Sequence, residues 1–324
     1  MKIKIAERLR PFSHTPGASC LIPGTCFAVT AFPTLLRIDQ HEIKLKLTGP
    51  VSNFTLQQDL EKNCVFVFGK AKEGHFRICI EASDSGFDVA VLKGQFLRGK
   101  KIKQSIPFHL DRSIERLSLG NHKLQDWDEV QKRGDLAELL PALFLLGQKI
   151  PPIPQAPLQG TGILLKLPKE RRELISALES FFKAAFSKIL IPRLIDDQYQ
   201  GLVEQDDSIN GDPCLLIQEG FKVIRALFFQ QNQRRLQFLG TLPVSLHSGR
   251  MVGIQAPGIG EIDFEWSKKI LRAVILRVNT TGDLIFDLQK EIKSFRVNKK
   301  KNVKVTEPLL VEEGKTYYLD RFEK

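Results

Sequence analysis

The chain has 324 residues, 42% of them hydrophobic and 26% charged, which excludes a collagenous, low-complexity or small disulfide-framework protein and leaves room for two or three hydrophobic cores. Its 48 Lys and Arg against 37 Asp and Glu give a formal charge of +11, which favours acidic partners such as nucleic acid or anionic lipid without selecting one. The five cysteines, Cys20, Cys26, Cys64, Cys79 and Cys214, are odd in number and contain no CxxC, so they read as free thiols of a reducing compartment, with no structural zinc.

In chain order, residues 2–5 and 41–47 alternate apolar with polar side chains, and 65–68, 76–80 and 87–92 are short apolar runs. Turns fall at Thr48-Gly49-Pro50, Lys72-Glu73-Gly74 and Asp84-Ser85-Gly86, with no helical pattern between the strands. That is the signature of an antiparallel β-sandwich, expected over residues 1–119. The apolar run 20–32 is broken by Pro23-Gly24 and reads as two strands about a turn, not as a signal peptide. No window approaches the roughly 18 apolar residues of a spanning helix, so a soluble, cytoplasmic protein without a membrane span is expected. The clusters Arg98, Lys100, Lys101, Lys103 and Lys299, Lys300, Lys301, Lys304 read as solvated loops.

Residues 120–235 change character. Leu136, Leu139, Leu140, Leu143 and Leu146 form an apolar stripe, within which Pro141 is expected to end one helix and start another. Pro151, Pro152, Pro154 and Pro157 mark a stiff linker over 149–167. A helix then opens at Pro168 and carries Leu174, Ile175, Leu178, Phe181, Phe182, Ala185, Phe186 and Ile189 on one face; its Phe residues belong to a core. An acidic connection over 195–212 leads to Asp212 as N-cap and Pro213 as the first residue of another helix. Gly220 on that helix's apolar face implies a close packing contact.

After a polar break at 230–235, residues 236–239, 261–266 and 271–276 read as strands. Thr280-Thr281-Gly282-Asp283 is expected to turn a hairpin into 284–288. A C-terminal antiparallel β domain over 236–324 follows, so the fold class is α+β multidomain: β-sandwich, short helical segment, β domain.

Paired carboxylates are the chemistry to look for. Asp126, Asp128 and Glu129 surround Trp127, and an indole beside carboxylates offers a sugar-stacking face and a desolvated acid. The same residues also read as a helix start in which Asp126 caps, Asp128 and Glu129 favour the dipole and Trp127 packs inward. His122 stands nearby as a candidate ligand-binding side chain, without the repeated spacing of a metal site. Asp196, Asp197, Asp206, Asp207 and Asp212 are the other carboxylates in suggestive settings. Ser13 and His14 lack a nucleophile-elbow pattern, and Gly258-Ile259-Gly260 has no following helix to make a phosphate loop. No cofactor is implied.

Phe228-Phe229, Gln230 or Gln231, Leu242-Pro243, Gly249, Gly253 and Trp266 follow one another in an order that resembles the end of the helical barrel and the start of the C-terminal β domain in glycoside hydrolase family 95. The resemblance implies a β domain before a helical toroid holding the catalytic residues, a small β domain after it, and a catalytic Asp just before the last helix. Asp212 is the nearest equivalent, about a turn out of step, and no motif matches the family's general-acid Glu or water-positioning Asn. Residues 120–239 hold about four or five helices at ordinary lengths, too few for a closed toroid. The expected function is therefore a non-catalytic carbohydrate-associated or interaction protein, with a glycan or protein partner held near Trp127, His122 and Glu129. The alternative is a divergent inverting glycoside hydrolase, in which Asp126 or Asp128 and Asp212 face each other about 6.5 to 9.5 Å apart. A basic nucleic-acid-binding β protein is a third reading, for which 3 Tyr and 2 Trp supply few stacking platforms.

Overall fold

The structure is a computed structural model in which residues 2–94, 99–110, 114–120, 123–154, 156–166, 171–196, 210–240, 242 and 244–323 are described. Two antiparallel sheets form the N-terminal sandwich. One takes Phe12–Ser13, Ser52–Asp59, Cys64–Ala71, Gly74–Ser83, Gly86–Lys93 and Lys100–Lys103 in that order; the other takes Ala18–Leu21, Ala28–Phe32, Leu35–Ile38 and His41–Lys44. Leu56, Val65, Val67, Ile78 and Ile80 face Leu21, Val29, Ala31 and Leu36 in one core, which accounts for the alternation in the sequence. The Pro23-Gly24 turn joins the strands Ala18–Leu21 and Ala28–Phe32 as expected. Residues 2–5, although alternating, pair with no strand among the described residues; Ile3 packs on Ala273 and Ile275, and Lys4 accepts a hydrogen bond from Arg250 through its carbonyl (3.1 Å).

The C-terminal β domain is also two-layered. A seven-stranded sheet runs in the order Arg116–Ser118, Gly249–Ala256, Gly260–Ser267, Ile270–Val278, Thr316–Glu323, Ser294–Val297 and Lys301–Lys304. Its first strand comes from residues before 119, with Leu117 opposite Met251, so the N-terminal chain closes the edge of the C-terminal sheet. The facing four-stranded sheet is Phe229–Asn232, Arg235–Phe238, Gly282–Asp287 and Leu309–Val311. Aromatic rings fill the gap between them: Phe238 meets Phe264 edge-on at 5.1 Å, and Phe286 meets Phe295 at 5.2 Å.

Two expectations for this region are corrected. The polar stretch 230–235 is a hairpin, with Asn232 opposite Arg235, because its polar side chains face water while Phe229 and Leu236 are buried. Residues 280–283 do not turn a hairpin. Ile270–Val278 stays in the seven-stranded sheet, and Gly282–Asp287 crosses to the other sheet to pair in parallel with Arg235–Phe238. Leu284 and Phe286 are the buried face of that strand, and the aromatic core takes them from the opposite side. Gly282 permits the crossing with φ +152°, since a Cβ there would lie 2.8 Å from the Arg234 guanidinium carbon.

Four α-helices lie between the β layers among the described residues. Helix α1 (Trp127–Arg133) ends at Gly134, whose φ is 60°, and helix α2 (Leu136–Gly147) starts at once on Asp135, whose side chain accepts from Ala137 N. Pro141 does not divide α2; the break falls at Gly134 instead. Ala137 O gives up one helical bond, and burial of Leu139, Leu140, Leu143, Phe144, Leu145 and Leu146 outweighs that loss. A 3-10 turn, Gly160–Leu165, precedes helix α3 (Arg171–Ala185). Phe186 and Ile189 lie beyond the end of α3: Phe186–Ser187 pairs with Ile191–Pro192 around left-handed Lys188 and Leu190. Phe181, Phe182 and Phe186 nevertheless pack on one another with centroids 5.6 to 5.8 Å apart, a core cluster as the sequence indicates. Helix α4 (Leu215–Phe228) crosses α2, with Gly220 against Leu143 and Gly147 against Phe221.

Candidate functional site

The residues singled out in the sequence fall in three places. Asp126 caps α1, its Oδ1 accepting from Asp128 N at 3.2 Å. Asp128 Oδ2 accepts from Ser13 Oγ (2.8 Å) and Thr15 Oγ1 (3.1 Å), which ties the helix to the first strand of the sandwich. Trp127 is 2% exposed and offers no stacking face to solvent. Glu129 lies on the surface, where the Lys132 ammonium, 2.8 Å away, holds its carboxyl below the usual range. His122, Asp197, Asp206 and Asp207 lie outside the described residues. Asp196 is buried and ion-paired with Arg193 (2.9 Å). The clusters at Lys100, Lys101, Lys103 and at Lys299, Lys300, Lys301, Lys304 are exposed, and Arg98 is outside the described residues.

Asp212 sits elsewhere. Its Oδ1 accepts from Cys214 N at 2.9 Å, and α4 begins at Leu215, so Pro213 belongs to the turn before the helix. Among the described residues no hydrogen bond or ion pair joins Asp212 to Asp126 or Asp128. The strand Ala18–Leu21 and its following turn bring Cys26 to this helix start. One carboxylate oxygen of Asp212 and the thiols of Cys26 and Cys214 all lie within 4.8 Å of one another. A hydrogen bond with the Cys26 thiol, together with burial, pushes the Cys214 thiol well above the ordinary thiol range. A second group of this kind, Cys64, Cys79 and Glu81, lies on the outer face of the N-terminal sheet, where the Cys64 thiol and burial raise the Cys79 thiol likewise. All five cysteines are free, and all but Cys26 are buried.

The third place is a groove of about 300 Å³ where the sandwich, the helices and the C-terminal sheet meet. Its floor is Glu115, buried and held from three sides. Arg225 donates from Nε to Oε2 (2.8 Å) and from a terminal nitrogen to Oε1 (2.9 Å), and Gln255 N donates to Oε1 (3.0 Å). Gln148, at the end of α2, zips its amide onto the Glu115 backbone, Oε1 accepting at 2.8 Å and Nε2 donating at 2.8 Å. Phe221 of α4 forms a wall, its ring 5.0 Å from that of Phe144. Gln218, one turn before it, has a buried Oε1 with no hydrogen-bond partner among the described residues. An aromatic wall beside polar side chains suits a ligand that carries both an apolar face and hydroxyl groups. Sequence reasoning missed this site. Gln218, Phe221 and Arg225 recur at i, i+3 and i+7 on one face of α4, a signal that was present; Glu115 and Gln148 carry none.

A larger trough of about 670 Å³ runs along the edge of the N-terminal sheet between Asp84 and Lys103. Its one aromatic side chain, Phe87, is 2% exposed, so the trough has no ring to offer a ligand.

Two mostly antiparallel β-sandwiches with a short helical segment between them in the chain define an α+β multidomain protein. The family model for the glycoside hydrolase family 95, C-terminal domain, matches residues 230–319. The match starts just after α4 and covers most of the C-terminal β domain; the resemblance read from the sequence also took in the helix before it, which the match leaves out. No curated protein matches the chain.

Proposed function

We propose that the chain is a non-catalytic, carbohydrate-associated protein whose glycan seat is the groove at Glu115, Gln148, Gln218 and Phe221. The observation that carries this reading is the half-buried Phe221 ring on the wall of the groove, with the Gln218 side chain one turn away along the same lining. A sugar presents C–H groups on its face, which match that ring, and hydroxyl groups on its rim, which a side-chain amide turned toward the groove would bond. The match of the C-terminal domain to a glycoside hydrolase domain supports a glycan over other hydroxylated ligands. The groove's carboxylate favours binding over hydrolysis. Inverting hydrolysis needs one carboxyl free to give a proton and a second about 6.5 to 9.5 Å away with room for water, whereas both Glu115 oxygens already accept N–H donors.

A glycan array run beside hydrolysis assays on fucosides and glucosides tests the reading. Binding without turnover, weakened on the order of tenfold in Phe221→Ala and in Gln218→Ala by loss of ring contact and acceptor, is the expected result. Absence of glycan binding sinks it. Turnover sinks it too, and points to the divergent inverting hydrolase.

A further inference from the structure

We propose that Cys26, Cys214 and Asp212 form a binding site for a thiophilic divalent cation of the zinc type. The three donors come from segments 188 residues apart in the chain and converge within 4.8 Å of one another. In a tetrahedral site with zinc–sulfur bonds of about 2.3 Å, ligand atoms stand about 3.5 to 3.8 Å apart, a separation this cluster reaches with small side-chain adjustments. Two thiolates with one carboxylate are a donor set that zinc accepts and that magnesium or calcium, which take oxygen ligands, do not.

Three features of the surroundings suit a cation. Asp212 is positioned by the Cys214 backbone N–H on Oδ1, leaving its other oxygen available, the outer-shell arrangement that orients metal ligands. Cys214 directly precedes the 14 residues of α4, and the dipole of that helix favours, at its N-terminus, the net negative charge that two thiolates and a carboxylate retain around a divalent ion. Cys214 is buried while Cys26 is half-buried and Asp212 exposed, so the cluster is open on one side, as entry of an ion and a fourth ligand from solvent require. Binding forms two metal–sulfur bonds and one metal–oxygen bond and releases the two thiol protons to solvent. No electron is transferred. The cation would then pin the turn after Ala18–Leu21 to the start of α4. The other thiol group is less suited: Cys64 and Cys79 share an apolar cluster with Phe66, and the Cys79 thiol points at Glu81 Oε1 (3.5 Å).

The test uses the full chain, stripped with a chelator and kept reduced with a phosphine, and titrated with Co²⁺. A thiolate-to-cobalt charge-transfer band that saturates at one equivalent and is displaced by Zn²⁺ is expected. The band should vanish in Cys26→Ser and persist in Cys64→Ser. Asp212→Asn should weaken binding on the order of tenfold to a hundredfold; its Oδ1 still accepts from Cys214 N, so the helix start is kept. Cys214→Ser alters a buried position, so the half-buried Cys26 and the exposed Asp212 carry the test, with circular dichroism as the check on folding. No band, a band surviving in folded Cys26→Ser, or a band lost in Cys64→Ser overturns the proposal.

Discussion

At the scale of single residues, the charges between the domains are the most sensitive points. Lys149 has almost no exposed side chain and donates to Asn63 Oδ1. Burial pushes its ammonium down from 10.5 to about 8, with the Glu61 and Asp59 carboxylates opposing the shift and the Arg116 guanidinium adding to it. Between these two values the unfolded chain holds a proton that the folded protein does not, so this group's contribution to stability rises with pH from about 8 to 10.5 and is flat below. Lys149→Met should remove that rise, seen as wild-type and variant urea midpoints that change their separation across the window; a constant separation would show that Lys149 titrates normally. Glu115 presents the opposite case, a buried carboxylate that keeps its partner. Arg225→Ala leaves it, among the described residues, with no counter-charge and only the Gln255 N–H on its carboxylate, and should cost about 3 kcal/mol, measured by urea unfolding, and it should disturb the groove without touching α2.

At the scale of elements, the α2–α4 crossing positions the groove. A Cβ on Gly147 would sit 2.5 Å from Phe221 Cβ and 3.0 Å from Ile217 O, both close to backbone, so neither can swing away. A Cβ on Gly220 would meet only Leu143 Cδ2 at 3.1 Å, the end of a flexible side chain. Gly147→Ala should therefore destabilise by about 2 kcal/mol through overpacking. Gly220→Ala should remain within about 1 kcal/mol of wild type, because the gain in helix propensity offsets the contact. Equal losses in the two variants, measured by denaturant midpoint, would show that the crossing can slide. The apolar spacing of α4 and its glycine were legible in the sequence; the partner of Gly220 was not, because Leu143 lies on another helix.

At the scale of the whole molecule, one continuous core joins both sandwiches and the helices. Leu117 closes the C-terminal sheet from the N-terminal side, and Arg116 reaches Glu61 (2.6 Å) and the backbone oxygens of Ile5 and Glu7. The two tryptophans report on different parts of that core. Trp127 starts α1 against the first sandwich, and Trp266 packs tilted against Phe228, centroids 5.0 Å apart, with its Nε1 donating to Leu246 O. Variants that keep one indole each, Trp266→Phe and Trp127→Phe, should each unfold in urea in one transition whose midpoint coincides with that from far-ultraviolet circular dichroism. Fluorescence midpoints that depart from the circular dichroism of the same variant would show that the sandwiches unfold separately.

Strand alternation, glycine-bearing turns and helical stripes are local properties of the chain, and by themselves they determined the α+β class, the β-rich ends, the helix at α4 and the resemblance of the C-terminal domain. They also showed that Asp126, Asp128 and Glu129 lie at a helix start. Only the tertiary structure decided that Trp127 points into the core, that Gly282–Asp287 leaves its sequence neighbour for the opposite sheet, and that α2 runs through Pro141. Each of these outcomes depends on which apolar surface the element meets, and that surface comes from elsewhere in the chain. The groove around Glu115 and the cluster of Cys26, Asp212 and Cys214 are tertiary for the same reason: their donors are far apart in sequence, and no spacing along the chain encodes a distance across the fold.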